Sequence, residues 1–336
     1  MSGAPAQTAG PWVLRGVPCD YCGEQEAETR CRGPDRLHGL PGEFAVVVCR
    51  RCGLVRTQPQ PTPESLPTAY PETYPAHQPA DDSIRPPSGW LRWLLVNFRG
   101  YPLGRRASAL VRAIAWPWAT LRLRSRRLLG YLPYQGEGQL LDFGCGTGKY
   151  VRRMSAAGWR AEGLDASPEM ARLAREAGIT VHTGTLPGAA LGTESFDAVT
   201  MWASLEHVPS PLATLKAARN LLRPGGLLLV AVPMADSLSA RLFGSAWYGF
   251  EMPRHLTHFT RATLVRHLEA AGLRVERVHP VRRPNFIRTS FAQLADETGR
   301  WVHRRLARSR FLAGCLGYLG LLLRRTDEAV ILARKA

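Results

Sequence analysis

The run Gln139-Leu140-Leu141-Asp142-Phe143 gives way at once to Gly144-Cys145-Gly146-Thr147-Gly148, and few folds accept that pair of segments. Apolar residues ended by alternate glycines predict a buried strand that turns sharply into a helix, the first step of a repeating βα pattern. A dinucleotide fingerprint would need G-x-G-x-x-G, but position 149 is Lys149, so the glycines fall as G-x-G-x-G behind the acid Asp142. A P-loop is excluded as well, because Lys149 precedes Tyr150 and the G-x-x-x-x-G-K-[ST] spacing is absent. Such a turn lets an adenosine-type ligand lie against the strand ends, although packing space alone would also account for the glycines. The next strand, Trp159 to Leu164, ends in Asp165. A carboxylate there can accept two hydrogen bonds from the hydroxyls of a ribose.

With these residues the chain resembles the class I S-adenosylmethionine-dependent methyltransferases. Leu140 to Gly148 is similar to their first motif. The likeness continues through Asp165, through Phe196-Asp197-Ala198-Val199 with Leu205-Glu206-His207-Val208 after it, and through Leu222-Arg223-Pro224-Gly225-Gly226 before a strand at Leu227 to Val232; it covers Gly138 to Ala336. The resemblance implies an α/β fold: a seven-stranded, doubly wound Rossmann-like sheet whose last strand, Ala329 to Ala333, runs antiparallel between the fifth and the sixth. A helix near Arg261 to Ala271 and a strand from Leu273 to His279 follow the same order. The implied cofactor is S-adenosylmethionine, with Gly144, Gly146 and Gly148 around its methionine and ribose, Asp142 orienting the loop and the amino group, and Asp165 holding the ribose. Many relatives carry an acid after the third strand for the adenine amino group. Here the segment reads Val181-His182-Thr183-Gly184-Thr185-Leu186, so Thr185 or backbone atoms take that place.

The second strong signal is a pair of knuckles, Cys19-Asp-Tyr-Cys22-Gly and Cys49-Arg-Arg-Cys52-Gly, among seven cysteines. Each glycine permits a tight turn that aims backbone amides at the thiolates, and two knuckles supply four sulfurs for one tetrahedral ion. A structural zinc ribbon is therefore predicted, on Cys19, Cys22, Cys49 and Cys52. Redox use is disfavoured by the duplication and by the lack of a βαβ pattern around the pairs, and disulfides by the lack of a secretion signal. Cys31 and His38, between the knuckles, read as bystanders or replacement ligands.

These signals divide the chain into a zinc-ribbon-like module at 1–57, a proline-rich linker at 58–87, a basic Trp- and Arg-rich helical segment at 88–135 and a methyltransferase domain at 136–336 with a two-helix insertion at 282–326. Lys plus Arg number 44 against 27 Asp plus Glu, a net charge of +17 that favours anionic partners. From Ser83 to Gly136 no acid occurs, while Arg85, Arg92, Arg105, Arg106 and Arg112 alternate with Trp90, Trp93, Trp116 and Trp118. That mixture suits peripheral membrane contact or a lipid-linked substrate; a helical lid is the bland alternative, and nucleic acid the weaker partner. The apolar stretch Phe311 to Leu323 falls short of the roughly 20 residues that a membrane-crossing helix needs. The expected location is cytoplasmic, at most at the inner membrane surface.

Methyl transfer needs an acceptor held in line with the sulfonium methyl and a route for its proton. His207, after the fourth strand, and His255 and His258, in Pro253-Arg254-His255-Leu256-Thr257-His258, are the candidate bases; capping or backbone tethering is their structural alternative. Arg254 could hold a substrate phosphate or carboxylate. The leading function is S-adenosylmethionine-dependent methylation of a small molecule, a sugar or a lipid-linked glycan. An RNA methyltransferase and a catalytically silent binding module are the competing readings.

Overall fold

The computed structural model describes residues 7–9, 12–70, 84–123 and 126–336. Seven strands, numbered here along the chain, form one sheet: β1 Gln139–Phe143, β2 Arg160–Asp165, β3 Val181–Thr183, β4 Phe196–Trp202, β5 Leu222–Pro233, β6 Leu273–Val281 and β7 Glu328–Lys335. Their order across the sheet is β6-β7-β5-β4-β1-β2-β3, with the last strand seated between the fifth and the sixth as expected. β1 pairs in parallel with β4 and β2, and β2 with β3. Strands covered on both faces must be apolar along their whole length, and β4 accordingly buries every residue but Trp202. The order reverses between β1 and β4, and in open parallel sheets ligands bind outside the carboxyl ends of the strands at such a reversal.

Internal contacts divide the chain into two units, one of Met1–Glu72, Ala203–Lys216 and Val230–Ile331, the other of Thr73–Trp202, Ala217–Leu229 and Leu332–Ala336. In the second unit, Asp197 at the start of β4 clamps the entrance of β1: its Oδ2 accepts from the amides of Glu137 (3.0 Å) and Gln139 (2.9 Å), and Arg223 Nη1 lies 3.2 Å from its Oδ1. The helix after β2, Pro168–Glu176, starts with Ser167 accepting from the Met170 amide and with proline in its first turn, where the missing N–H costs nothing. The same unit contains helix Gly89–Arg99, which buries Leu94, Leu95 and Val96, and helix Ala109–Leu123, which buries only Ala119. Leu110, Ile114, Trp116 and Leu121 of the latter stand exposed, Ile114 at 73%.

In the first unit the strands Thr257–His258, Val55–Gln58, Phe44–Cys49 and Ala27–Gly33 form a four-stranded sheet in that order. Trp12, Phe44, Trp247 and Phe250 fill the core. Residues 58–70, read above as linker, are packed here: Gln60–Pro61 pairs with Trp12–Arg15, and Ala69 is fully buried. Residues 71–83, with the rest of the Tyr-Pro motif, lie outside the described residues. Three helices occupy 282–326 where two were expected, Pro284–Thr298, Trp301–Arg308 and Arg310–Leu322. Gly299 ends the first in the left-handed region, and Ser309 starts the third by accepting from the Leu312 amide. Among the described residues no helix is long and apolar enough to cross a membrane.

Candidate functional site

The glycine turn lies in the second unit. Gly144, Gly146 and Gly148 have φ of 71°, 52° and 78°, a left-handed sequence that side-chain-bearing residues rarely adopt. At Gly148 space forbids a side chain too, since a Cβ would fall 2.6 Å from Ile179 Cδ1. The Gly144 amide donates to Leu164 O (2.7 Å), so the turn is anchored to β2. Asp165 completes it: Oδ2 accepts from the Gly146 amide (2.7 Å) and Oδ1 from the Ser167 amide (2.9 Å). Orientation of the loop, which the family resemblance gave to Asp142, thus falls to Asp165.

Asp142 is buried on β1 and accepts from Thr200 Oγ1 at 2.7 Å. Burial pushes its carboxyl up to about 7; the Thr200 hydrogen bond opposes this and the charge of Asp165 adds to it. Thr200 itself was missed in the sequence; its signal was a hydroxyl within Phe196-Asp197-Ala198-Val199-Thr200-Met201-Trp202. Tyr150, whose hydroxyl donates to Gly130 O (2.7 Å), packs its ring 5.4 Å from that of Trp202. Thr185 is exposed beyond β3, and its carbonyl accepts from the Ala189 amide (2.9 Å). A left-handed turn at the strand ends with a buried acid beneath it fits the methionine and ribose halves of S-adenosylmethionine.

The cysteine cluster lies in the first unit. Cys19 Sγ is 3.4 Å from Cys52 Sγ and Cys22 Sγ 3.6 Å from Cys49 Sγ, and all four sulfurs lie within 4.8 Å of one another with no disulfide. Tetrahedral zinc with bonds of about 2.3 Å would set its sulfurs about 3.8 Å apart, so the cluster has the size of a zinc site. Both knuckles turn as expected: the amides of Gly23 and Gly53 donate to Cys19 O (2.8 Å) and Cys49 O (2.9 Å). Burial opposes ionisation of Cys49, but the amides of Cys52 and Arg51 overcome it and lower the thiol to about 7. Cys31, on strand Ala27–Gly33, and His38 stand outside the cluster.

The first unit also gathers the histidines. His207 ends the 3₁₀ turn Leu205–His207, with its Nδ1 2.8 Å from the Tyr70 hydroxyl and 3.1 Å from Arg254 O. His255 Nδ1 donates to Gly249 O (2.8 Å), and the two rings meet edge to face with centroids 4.6 Å apart. His258 is placed differently. Thr57 Oγ1 donates to His255 O (2.7 Å) and therefore accepts from His258 Nε2 (2.9 Å), a tether that occupies this ring nitrogen. Burial first, then neighbouring charge, pulls His207 down to about 3 and His258 well below its ordinary value; burial, partly offset by the Gly249 carbonyl, pulls His255 to about 4. All three are neutral at pH 7.

Arg254 is no receptor for a substrate anion. Its guanidinium and Asp35 are both fully buried as an ion pair, and it also bonds Glu251 Oε1 (3.2 Å) and Ala69 O (3.1 Å). Beside His207 the sequence reading missed Glu206, which is 1% exposed. A carboxylate at the start of the 3₁₀ turn, between the apolar Leu205 and the candidate base, was the available signal.

Strand order, glycine turn and strand-end acids together define the Rossmann-like fold that methyltransferase domains share. Comparison with known proteins agrees: residues 118–278 match the family model described as a methyltransferase domain. A ubiquinone biosynthesis O-methyltransferase of Xanthomonas axonopodis pv. citri is 34% identical over 155 residues, 42% of this chain and 64% of that one. A protein of the same name from Cereibacter sphaeroides is 36% identical over 137 residues, 38% of this chain and 55% of its own length. The chain thus spans less than two thirds of these relatives. Among solved structures, an S-adenosylmethionine-dependent methyltransferase from Mesorhizobium loti overlays 67% of this chain and all of its own with a TM-score of 0.43 and 22% identity.

Proposed function

We propose that this protein methylates a hydroxyl of a small-molecule acceptor, a sugar or a lipid-linked glycan, using S-adenosylmethionine. The observation that carries the reading is the closed turn at 144–148, held by Asp165 above the buried carboxylate of Asp142. When bound, the cofactor supplies an electrophilic methyl group on a sulfonium centre. Asp142 offers the ammonium or sulfonium charge a carboxylate out of water, where the attraction is strong. Asp165 keeps the Gly146 amide in place and presents its oxygens to the ribose hydroxyls, with Thr185 or backbone atoms toward the adenine. His207, neutral at pH 7, is the first candidate to accept the acceptor's proton, His255 the second, and the tethered His258 the third.

The names of the relatives favour oxygen as the methylated atom. The exposed Leu110, Ile114, Trp116 and Leu121, on a helix within acid-free and Arg-rich sequence, support an acceptor reached at an anionic membrane surface. The Cys19, Cys22, Cys49 and Cys52 cluster holds structural zinc in this reading. Calorimetric titration with S-adenosylhomocysteine tests the cofactor assignment: Asp165→Ala is expected to weaken binding strongly, and unchanged affinity counts against the site. Labelled-methyl transfer into separated lipid, glycan and RNA pools then identifies the acceptor.

A further inference from the structure

Glu206 is a buried carboxyl among the described residues of the first unit. Its side chain is buried, and neither carboxylate oxygen has a hydrogen-bond partner elsewhere among the described residues. A buried carboxylate left unpaired is unfavourable, so such groups neutralise or coordinate a metal.

One histidine is turned to leave a ring nitrogen open. A carbonyl oxygen only accepts, so Gly249 O places the proton of His255 on Nδ1. Its Nε2 then carries a lone pair and lies 3.6 Å from Glu251 Oε2. A ring whose Nδ1–H is fixed by a backbone carbonyl while Nε2 faces carboxylates is the arrangement that metal-ligating histidines use.

We propose that Glu206, His207 and His255 bind one divalent first-row transition-metal cation, separate from the ion of the cysteine cluster. One donor atom from each of the three lies within 4.8 Å of the others. Tetrahedral donors about 2.1 Å from such an ion stand about 3.4 Å apart, so the three side chains draw together on binding. Imidazole and carboxylate donors without sulfur suit zinc, manganese, iron or cobalt, and three protein ligands leave positions open. Tyr70 and Arg254 O hold the ring of His207 through Nδ1. The site needs neither cofactor nor acceptor. Only its use, polarising an acceptor hydroxyl in place of an imidazole base, rests on the methyl-transfer reading.

The test is equilibrium dialysis of the full chain, carrying one equivalent of zinc at the cysteines, against cobalt(II), with neither cofactor nor acceptor present. One zinc retained at the cysteines and one cobalt bound per chain are expected. Glu206→Gln and His255→Asn should each weaken cobalt binding more than about 100-fold, beyond what loss of an outer-shell partner costs, with zinc content unchanged. Absence of a cobalt equivalent, or one that survives both substitutions, overturns the proposal and leaves Glu206 neutralised by a proton. Should the substitutions unfold the chain, X-ray absorption of the cobalt-loaded wild type decides: imidazole nitrogen and oxygen neighbours support the site, and sulfur neighbours refute it. Failure of methyl transfer would leave these results untouched.

Discussion

Asp142 ties cofactor binding to protons. Its carboxyl sits at about 7 in the free protein because burial raises it, so near neutrality roughly half of the molecules carry a proton there. A cationic ligand that lowers this value well below 7 must release the proton on binding. About 0.9 proton per site is expected at pH 6, about 0.5 at pH 7 and about 0.1 at pH 8. Calorimetry of S-adenosylmethionine binding in buffers of different ionisation enthalpy reads that number directly from the buffer dependence of the heat. The same carboxyl gives the free protein an opposite slope in stability. An acid raised from 3.8 to about 7 on folding is fully tolerated below 3.8; stability is then withdrawn as the pH rises through 7, by an amount on the order of 4 kcal/mol. Asp142→Asn keeps the volume and the acceptor for Thr200, so it should abolish both the proton release and this slope while weakening cofactor binding. Heats independent of buffer in the wild type, or the same proton release from Asp142→Asn, would refute the placement of the cofactor's charge at Asp142.

Three further expectations follow from local geometry. Gly148→Ala combines a left-handed φ with a Cβ 2.6 Å from Ile179 Cδ1, so it should destabilise the chain by about 1 to 3 kcal/mol in urea unfolding and remove S-adenosylhomocysteine binding. Cys22→Ser should drop the zinc content of purified protein by one equivalent and lower the melting temperature; unchanged zinc would dismiss the ribbon. Replacing Ile114 and Trp116 by serine should abolish co-sedimentation with vesicles rich in anionic lipid without lowering thermal stability, since both side chains are already exposed; equal sedimentation of the variant would exclude this helix as the contact.

What the sequence disclosed and what it hid divide by the distance over which the physics acts. The turn at 144–148 was legible because three left-handed residues in five positions demand glycine, and the cysteine knuckles because each closes within five residues. The order of strands followed from the same local repeats, and even the seat of the last strand came with the family resemblance. β5 was placed too short because Arg223-Pro224-Gly225-Gly226 looks like a loop. The structure extends the strand back to Leu222, where Lys335 Nζ donates to Leu222 O (2.6 Å) and Arg334 to Gly225 O, contacts supplied by residues more than a hundred positions away. The helix count in 282–326 turned on single caps at Gly299 and Ser309, which a run of alternating apolar and basic residues does not advertise. The pocket of Glu206, His207 and His255 was hidden for a deeper reason. Arg254 looked free to bind a substrate anion, but Asp35, 219 positions away, closes on it. Each of these residues is ordinary in its own segment. The set of donors exists only where the segments around 206 and 255 meet, so the chemistry of the pocket is a property of the fold that no stretch of sequence carries alone.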